Sequence, residues 1–166
     1  MNKEAERIVK ALNLSKHPEG GYFSEVYRSD ETIENDLSER FSGKHSLYTS
    51  IYFLLSENDY SAFHVLKSDE IWHFYEGTTL DIHIINPDGV LRTVSLGRNF
   101  EADEHFQYCI KAGHFFAAEV RDKSSFALVG CTVSPGFDYS DFELCKEKEL
   151  IEKFSPHTDL ITRLTK

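Results

Sequence analysis

The sequence of 166 residues predicts an all-β fold, a sandwich or barrel with one helix before it and short helices after it. Three observations carry that expectation. Short apolar-alternating runs follow one another from Ser46 to Val133, at 46–55, 60–67, 70–76, 79–86, 90–96, 105–111, 114–120 and 125–133. Turn-forming clusters separate them, among them Ser56-Glu57-Asn58-Asp59, Asn86-Pro87-Asp88-Gly89 and Ala112-Gly113. In the second of these, proline presets φ and glycine accepts φ > 0, which suits a hairpin. Aromatic residues reach 13%, with 13 Phe and 8 Tyr, and flat rings pack well on a pleated surface. Many short strands at this spacing make a sandwich or a barrel.

The elements at either end follow other periods. Residues 3–14 place Ala5, Ile8, Val9 and Leu12 on one helical face, with Asn2 as N-cap and Pro18 beyond the stop. Gly20-Gly21 reads as a turn into a first strand at 22–29 and is too poor in glycine pattern for a phosphate loop. The stretch 30–44 is polar and acidic without either period. A loop of that length is a lid, a binding loop or a mobile surface excursion. After Pro135-Gly136-Phe137, the residues Leu144, Glu147, Lys148 and Ile151 keep a 3.6 spacing. Ser155-Pro156 then starts a last helix running to Leu164. No linker or repeat divides the chain, so residues 1–166 read as one domain.

Composition excludes several functional classes. The formal net charge is -10 and no run of Lys or Arg occurs, which argues against nucleic acid as a partner. The acidic groups around Asp30 to Glu39 and at Glu101, Asp103 and Glu104 read as solvated faces. The N-terminal residues are charged throughout and lack the apolar core of a signal peptide. The longest apolar run, Ile51 to Leu55, is too short to span a bilayer. Cys109, Cys131 and Cys145 are odd in number and show no CxxC spacing, as expected of reduced core thiols in a cytoplasmic protein.

Chemistry concentrates between Ser61 and Gly77. Period-2 alternation puts His64 with Leu66 on one strand face, and Glu70, Trp72 and Phe74 together on a face of the next. If both faces point inward, a His and a Glu meet among aromatic rings. The carboxylate would raise the imidazole pKa while apolar walls oppose its charging, a combination that marks functional sites. The bland reading of His64 is a core histidine bonded to backbone, and Trp72 reads first as core and second as a stacking platform. Phe23, Glu25 and Tyr27 share a face of the first strand, with Arg28 on the other, where a structural ion pair is its plain role. His17, His105 and His157 read as surface residues.

The same segment resembles the first motif of the cupins, a jelly-roll (double-stranded β-helix) superfamily: His-x-His, a short gap, Glu, six residues, Gly. Here Glu70 and Gly77 keep that spacing and His64 holds the first His position, but Leu66 stands at the second. The second motif, Pro-x-Gly-x-x-His, is similar to Lys111-Ala112-Gly113-His114-Phe115-Phe116, with Lys111 for the Pro and Phe116 for the His. A narrower likeness runs from His17 to Leu164. It is carried by His17-Pro-Glu-Gly-Gly-Tyr-Phe-Ser-Glu-Val-Tyr-Arg28-Ser29, Thr49 to Leu55, Phe63 to Tyr75 and Gly130 to Phe137. It resembles the small cupin-five family, which has no settled activity. That resemblance implies a jelly-roll barrel and a homodimer, with Lys111 in place of the usual Pro and Phe115 where Trp is commoner.

A cupin metal centre resembles three His and one Glu, of which only His64 and Glu70 remain, and two protein ligands hold a divalent metal weakly. His73, His83 and His114 are possible substitutes, although parity turns His73 away from Glu70. The expectation is therefore a small-molecule-binding cupin with no cofactor and no tightly bound metal. Its anchors are His64 and Glu70 and its walls Leu66, Trp72, Phe74 and Phe116. The second reading is a metal-independent isomerase or epimerase of a sugar or carbonyl compound. There His64 acts as base, Glu70 orients it, and Tyr27 or Tyr52 returns the proton from the far side. The third is a metal-dependent oxygenase built on His64 and Glu70.

Overall fold

A computed structural model describes residues 1–34 and 39–166. The chain opens with helix α1 (Lys3–Ala11), capped as its sequence predicts: the Asn2 side-chain oxygen accepts the Glu4 N–H at 2.9 Å and the Ala5 N–H at 3.4 Å. Its apolar face, with Ala5 and Ile8 buried, packs on Leu54, Phe126 and Leu128.

Thirteen strands follow among the described residues: β1 (Ser15–Lys16), β2 (Tyr22–Arg28), β3 (Thr32–Ile33), β4 (His45–Ser46), β5 (Thr49–Ser56), β6 (Tyr60–Leu66), β7 (Asp69–Gly77), β8 (Leu80–Ile85), β9 (Leu91–Leu96), β10 (Gln107–Ile110), β11 (Phe115–Val120), β12 (Phe126–Ser134) and β13 (Phe142–Leu144). Six form an antiparallel sheet in the order β1-β2-β5-β12-β7-β10, and five form a second in the order β13-β6-β11-β8-β9. The late strand β12 lies between β5 and β7, so distant segments close the barrel, and the architecture is a jelly roll. Inward side chains of both sheets make the main core, including Leu80, Ile82, Val94, Leu96, Val120 and Val129. Helices α2 (Glu147–Lys153) and α3 (Thr158–Arg163) cover the outside of the five-stranded sheet, where Leu150, Phe154, Ile161 and Leu164 pack on Phe63, Ile85 and Ala117.

Four details depart from the sequence expectation. Leu144 is not the start of a helix; it closes β13 opposite His64, and α2 begins at Glu147. A residue one turn ahead of a helix keeps the helical spacing whatever its own conformation, which is why periodicity misassigned it. The final helix is shorter than predicted, because Ser155–His157 forms a 3-10 turn around Pro156. The run 46–55 is split, with Ser46 pairing in β4 and β5 starting at Thr49. The stretch 30–44 carries β3 and leads into β4, which pair Thr32 with Ser46 and Ile33 with His45. The lid or binding loop expected at 30–44 falls partly on residues 35–38, outside the described residues. None of the helices among the described residues is long and apolar enough to cross a membrane.

Candidate functional site

One end of the barrel is packed solid, and the other holds a cavity of about 300 Å³ between the inner faces of the sheets. Its wall is built from β2 (Phe23, Glu25, Arg28), β5 (Thr49, Ile51, Phe53), β6 (His64, Leu66), β7 (Glu70, Trp72) and β12 (Cys131, Val133). Two loops and a strand start complete it: the turn before β2 supplies His17 and Glu19, the segment leading into β13 supplies Phe137, Asp138 and Tyr139, and β13 itself supplies Phe142.

The turn His17-Pro18-Glu19-Gly20-Gly21 drives an acid into this apolar end. Gly20 and Gly21 have φ of 123° and 67°, and a Cβ at Gly20 would lie 2.0 Å from the Tyr60 carbonyl oxygen. Only glycine accepts both the conformation and the approach. The turn is thereby pressed against β6, where the Ala62 N–H donates to the Glu19 carbonyl at 2.9 Å. The Ser61 hydroxyl donates to Glu19 Oε1 at 2.7 Å, and Glu19 Oε2 stands 3.5 Å from His64 Nε2.

His64 is 2% exposed. Its Nδ1 lies 2.7 Å from the Ala62 carbonyl oxygen and must donate to it, which assigns the Nδ1–H tautomer to the neutral ring and leaves an Nε2 lone pair beside Glu19. Phe116 backs the imidazole at a ring separation of 4.0 Å. The Ala62 carbonyl orients the ring, and Glu19 stands beside the nitrogen that would act as a base. His17 faces the same carboxylate at 3.4 Å, but burial lowers its pKa against the pull of Glu19. Its Nδ1 accepts the Glu19 backbone N–H at 3.4 Å, a bond made by the neutral ring.

Glu70 sits on β7 opposite Val133 of β12 and Ile110 of β10. Burial, with repulsion from Glu19 second, pushes its carboxyl up to about 8. Neither its Oε2 nor the indole N–H of Trp72 has a partner in hydrogen-bond geometry, although the indole and the Cys131 thiol stand close enough to offset part of that rise. Cys131, also on the wall, is held as a neutral thiol far above the usual range by the same burial and by Glu70.

The structure thus brings His64, Leu66, Glu70 and Trp72 to one cavity and sends four other expected wall residues elsewhere. Phe74 shares the inward face of β7 but lies four residues beyond Glu70, roughly 13 Å along the strand, in the packed end. Phe116 is in the core behind His64, outside the cavity lining. Tyr52 alternates with Ile51 and Phe53 and so faces outward, edge-on to Tyr75. Tyr27 is turned out by a β-bulge: the register of β2 with β5 shifts between Glu25 and Tyr27, which reverses parity. Tyr27 therefore stacks on Tyr48 at the surface, while Arg28 reaches the cavity rim and pairs with Glu25 at 2.7 Å and the Phe137 carbonyl oxygen at 3.0 Å. His17, expected at the surface, is instead on the wall, edge-on to Phe23 at 4.7 Å.

Sequence reasoning missed Glu19 and a second buried pair. His45 and Asp141 meet below the surface, and Lys67 approaches Asp141 at 3.0 Å, tying β4 to the segment that supplies the cavity's aromatic rim. The cue for Glu19 was present, because an acid directly before two glycines in a turn is a residue placed by backbone. The pairing of His45 with Asp141 spans 96 positions and had no local cue.

The donor set does not fit a cupin metal centre. Leu66 and Phe116 occupy two of its four positions, His73 bonds towards Thr132 on the outer face, and His83 pairs with Glu119 at 3.2 Å. Among the described residues no group of three or more His, Cys, Asp or Glu is placed to hold a metal ion.

A jelly roll whose open end carries a histidine and a glutamate from consecutive strands is a cupin by architecture. Within that superfamily the chain belongs to the family described as Cupin superfamily (DUF985), or Cupin_5, which matches residues 6–145. It is similar to protein SO0799 of Shewanella oneidensis, with a TM-score of 0.89 and 35% identity covering 100% of this chain and 98% of that one. A hypothetical protein from Leishmania major gives a TM-score of 0.88 at 36% identity, covering 97% and 98%. The uncharacterised protein YML079W of Saccharomyces cerevisiae is 28% identical over 162 residues, 91% of this chain and 80% of that protein. Oxalate decarboxylase from Bacillus subtilis shares the fold alone, with a TM-score of 0.55 at 15% identity, covering 90% of this chain and 36% of that one.

Proposed function

We propose that the protein binds a small organic molecule in the cavity between its sheets. The observation that carries this reading is the preformed space of about 300 Å³, walled by aromatic side chains and furnished with a few inward polar groups. Ligand sites of about 300–1,000 Å³ have this make-up, so the occupant is compact, the size of a single ring or a short branched chain. Trp72 is the only tryptophan and stands in the wall, so its emission reports occupancy directly. A screen of small neutral, anionic and cationic compounds should yield at least one that raises the melting temperature and shifts Trp72 emission saturably. No response across all three classes would end the reading.

A second reading, metal-independent isomerisation of a carbonyl compound, is favoured by one feature: the tautomer and position of His64 beside Glu19. A bound substrate would then take up deuterium from solvent. His64→Ala is expected to slow that exchange by about 10²–10⁴-fold, the usual contribution of a positioned base, and undiminished exchange would remove His64 from the role.

We also infer a homodimer in the cytoplasm. The edge strand β10, with Ile71 exposed on the outer face of its neighbour β7, supports such an assembly. Ile71→Asp should move the sedimentation mass from dimer to monomer at unchanged secondary structure. A wild-type monomer at high concentration would contradict the inference.

A further inference from the structure

The polar groups on the cavity wall are strongly biased in sign. Carboxyl groups come from four positions, Glu19, Glu25, Glu70 and Asp138, whereas Arg28 is the one Lys or Arg on the wall among the described residues. Arg28 is already engaged, by both carboxylate oxygens of Glu25 and by the Phe137 carbonyl. An anionic ligand, such as a carboxylate or a nucleotide-linked sugar, would therefore face Glu19 and Asp138 and find no unengaged Lys or Arg on the described wall to hold it. Glu19 accepts the Ser61 hydroxyl at 2.7 Å and has an imidazole on either side. Glu70 differs: it is 7% exposed, its Oε2 lacks a partner, and it belongs to the inward face of β7. A buried carboxyl in that condition has no countercharge with which to ionise.

The rest of the wall suits the complementary charge. Phe23, Phe53, Trp72, Phe137, Tyr139 and Phe142 all line the cavity, with Phe53 and Trp72 edge-to-face at 5.5 Å. Such a wall attracts a cation through the negative faces of its rings and accepts the methyl or methylene groups attached to it. We infer that the cavity takes a small organic cation, an ammonium group on a compact apolar body, with the charge lodged at Glu70 and the body against the aromatic wall. This rests on the reading that the cavity binds a small molecule, and it names the class. Burial makes Glu70 a poor carboxylate while the cavity is empty, and an arriving ammonium supplies the charge that draws its proton away.

The test uses three probes of nearly one shape on the full chain, at fixed pH and ionic strength. Choline carries a quaternary nitrogen, 3,3-dimethylbutan-1-ol replaces that nitrogen with carbon, and 3,3-dimethylbutanoate carries the opposite charge. Trp72 emission and melting temperature are read for each. Choline is expected to bind at least tenfold more tightly than the alcohol, with no response to the butanoate. Glu70→Gln should reduce that advantage to less than threefold. If that variant does not fold, the wild-type comparison of choline with the alcohol decides by itself. An alcohol or butanoate that binds as tightly as choline overturns the cation assignment and leaves the small-molecule reading standing. Silence from all three probes, with another compound of the broader screen active, does the same. Silence in both experiments removes both readings.

Discussion

Glu70→Gln is expected to stabilise the protein at alkaline pH relative to the wild type, by an amount that vanishes in mild acid. The Glu70 carboxyl rises from 4.5 to about 8 on folding. Its folded state therefore holds a proton that the unfolded chain releases. The associated stability is fully present below the unfolded value and is lost as pH rises through the folded one. A shift of that size corresponds to roughly 5 kcal/mol across the interval, at about 1.4 kcal/mol per unit. Glutamine cannot ionise, so its variant escapes the loss. For a chain of this length about 2–4 °C accompanies each kcal/mol, and the variant should gain about 10–20 °C over the wild type between pH 5 and pH 9. Other groups contribute to the wild-type curve. His17, whose pKa is lowered by burial, adds stability above its unfolded value and loses it as pH falls, a slope of opposite sign. It is present in both proteins, so the difference between their melting curves isolates Glu70. Parallel curves over that range would mean that Glu70 ionises in the folded state as it does in water.

Where the sequence was informative, a single local rule was in control. Period-2 alternation in β7 put Glu70, Trp72 and Phe74 on one face, and that face is buried. The Asn2 cap followed from the orphan N–H groups of a helix start. The site itself was only half legible, because parity along a strand survives only while the strand is regular. One extra residue in β2 exchanged Tyr27 for Arg28 at the rim, and nothing local in Glu25-Val26-Tyr27 marks a bulge. Phe74 shows a second limit: a face is legible from sequence, but the depth at which a barrel stops being packed and becomes hollow depends on every opposing side chain. Glu19 marks a third. Its place on the wall depends on a close approach between two backbones, and composition has no term for that. The His17-Pro-Glu-Gly-Gly run carried family resemblance before its physical purpose was visible, and that purpose is to hold an acid beside His64.

That purpose makes Gly20→Ala the substitution with the broadest expected consequence. At φ 123° a side chain is strained wherever it points, and the added Cβ would meet the Tyr60 carbonyl oxygen at 2.0 Å. Strain of about 1–3 kcal/mol for the backbone and about 1–3 kcal/mol for overpacking combine to roughly 2–6 kcal/mol. The obstacle is main chain of β6, which cannot swing aside as the end of a long side chain would. The turn must therefore lift, and lifting it opens the Ala62 N–H bond to Glu19 and the Ser61 bond to its carboxylate. Both the melting temperature and the response of Trp72 to any cavity ligand should fall together. Gly113→Ala provides the comparison, because Gly113 also has positive φ, 75°, but nothing stands within 4 Å of the position its Cβ would take. It should cost only the conformational part, about 1–2 kcal/mol, and should leave ligand binding intact. If Gly20→Ala costs no more than Gly113→Ala, the turn is free to relax and Glu19 is held by its hydrogen bonds alone. If it costs several-fold more and silences Trp72, then the backbone contact between Gly20 and Tyr60 is what fixes an acid at the mouth of this barrel.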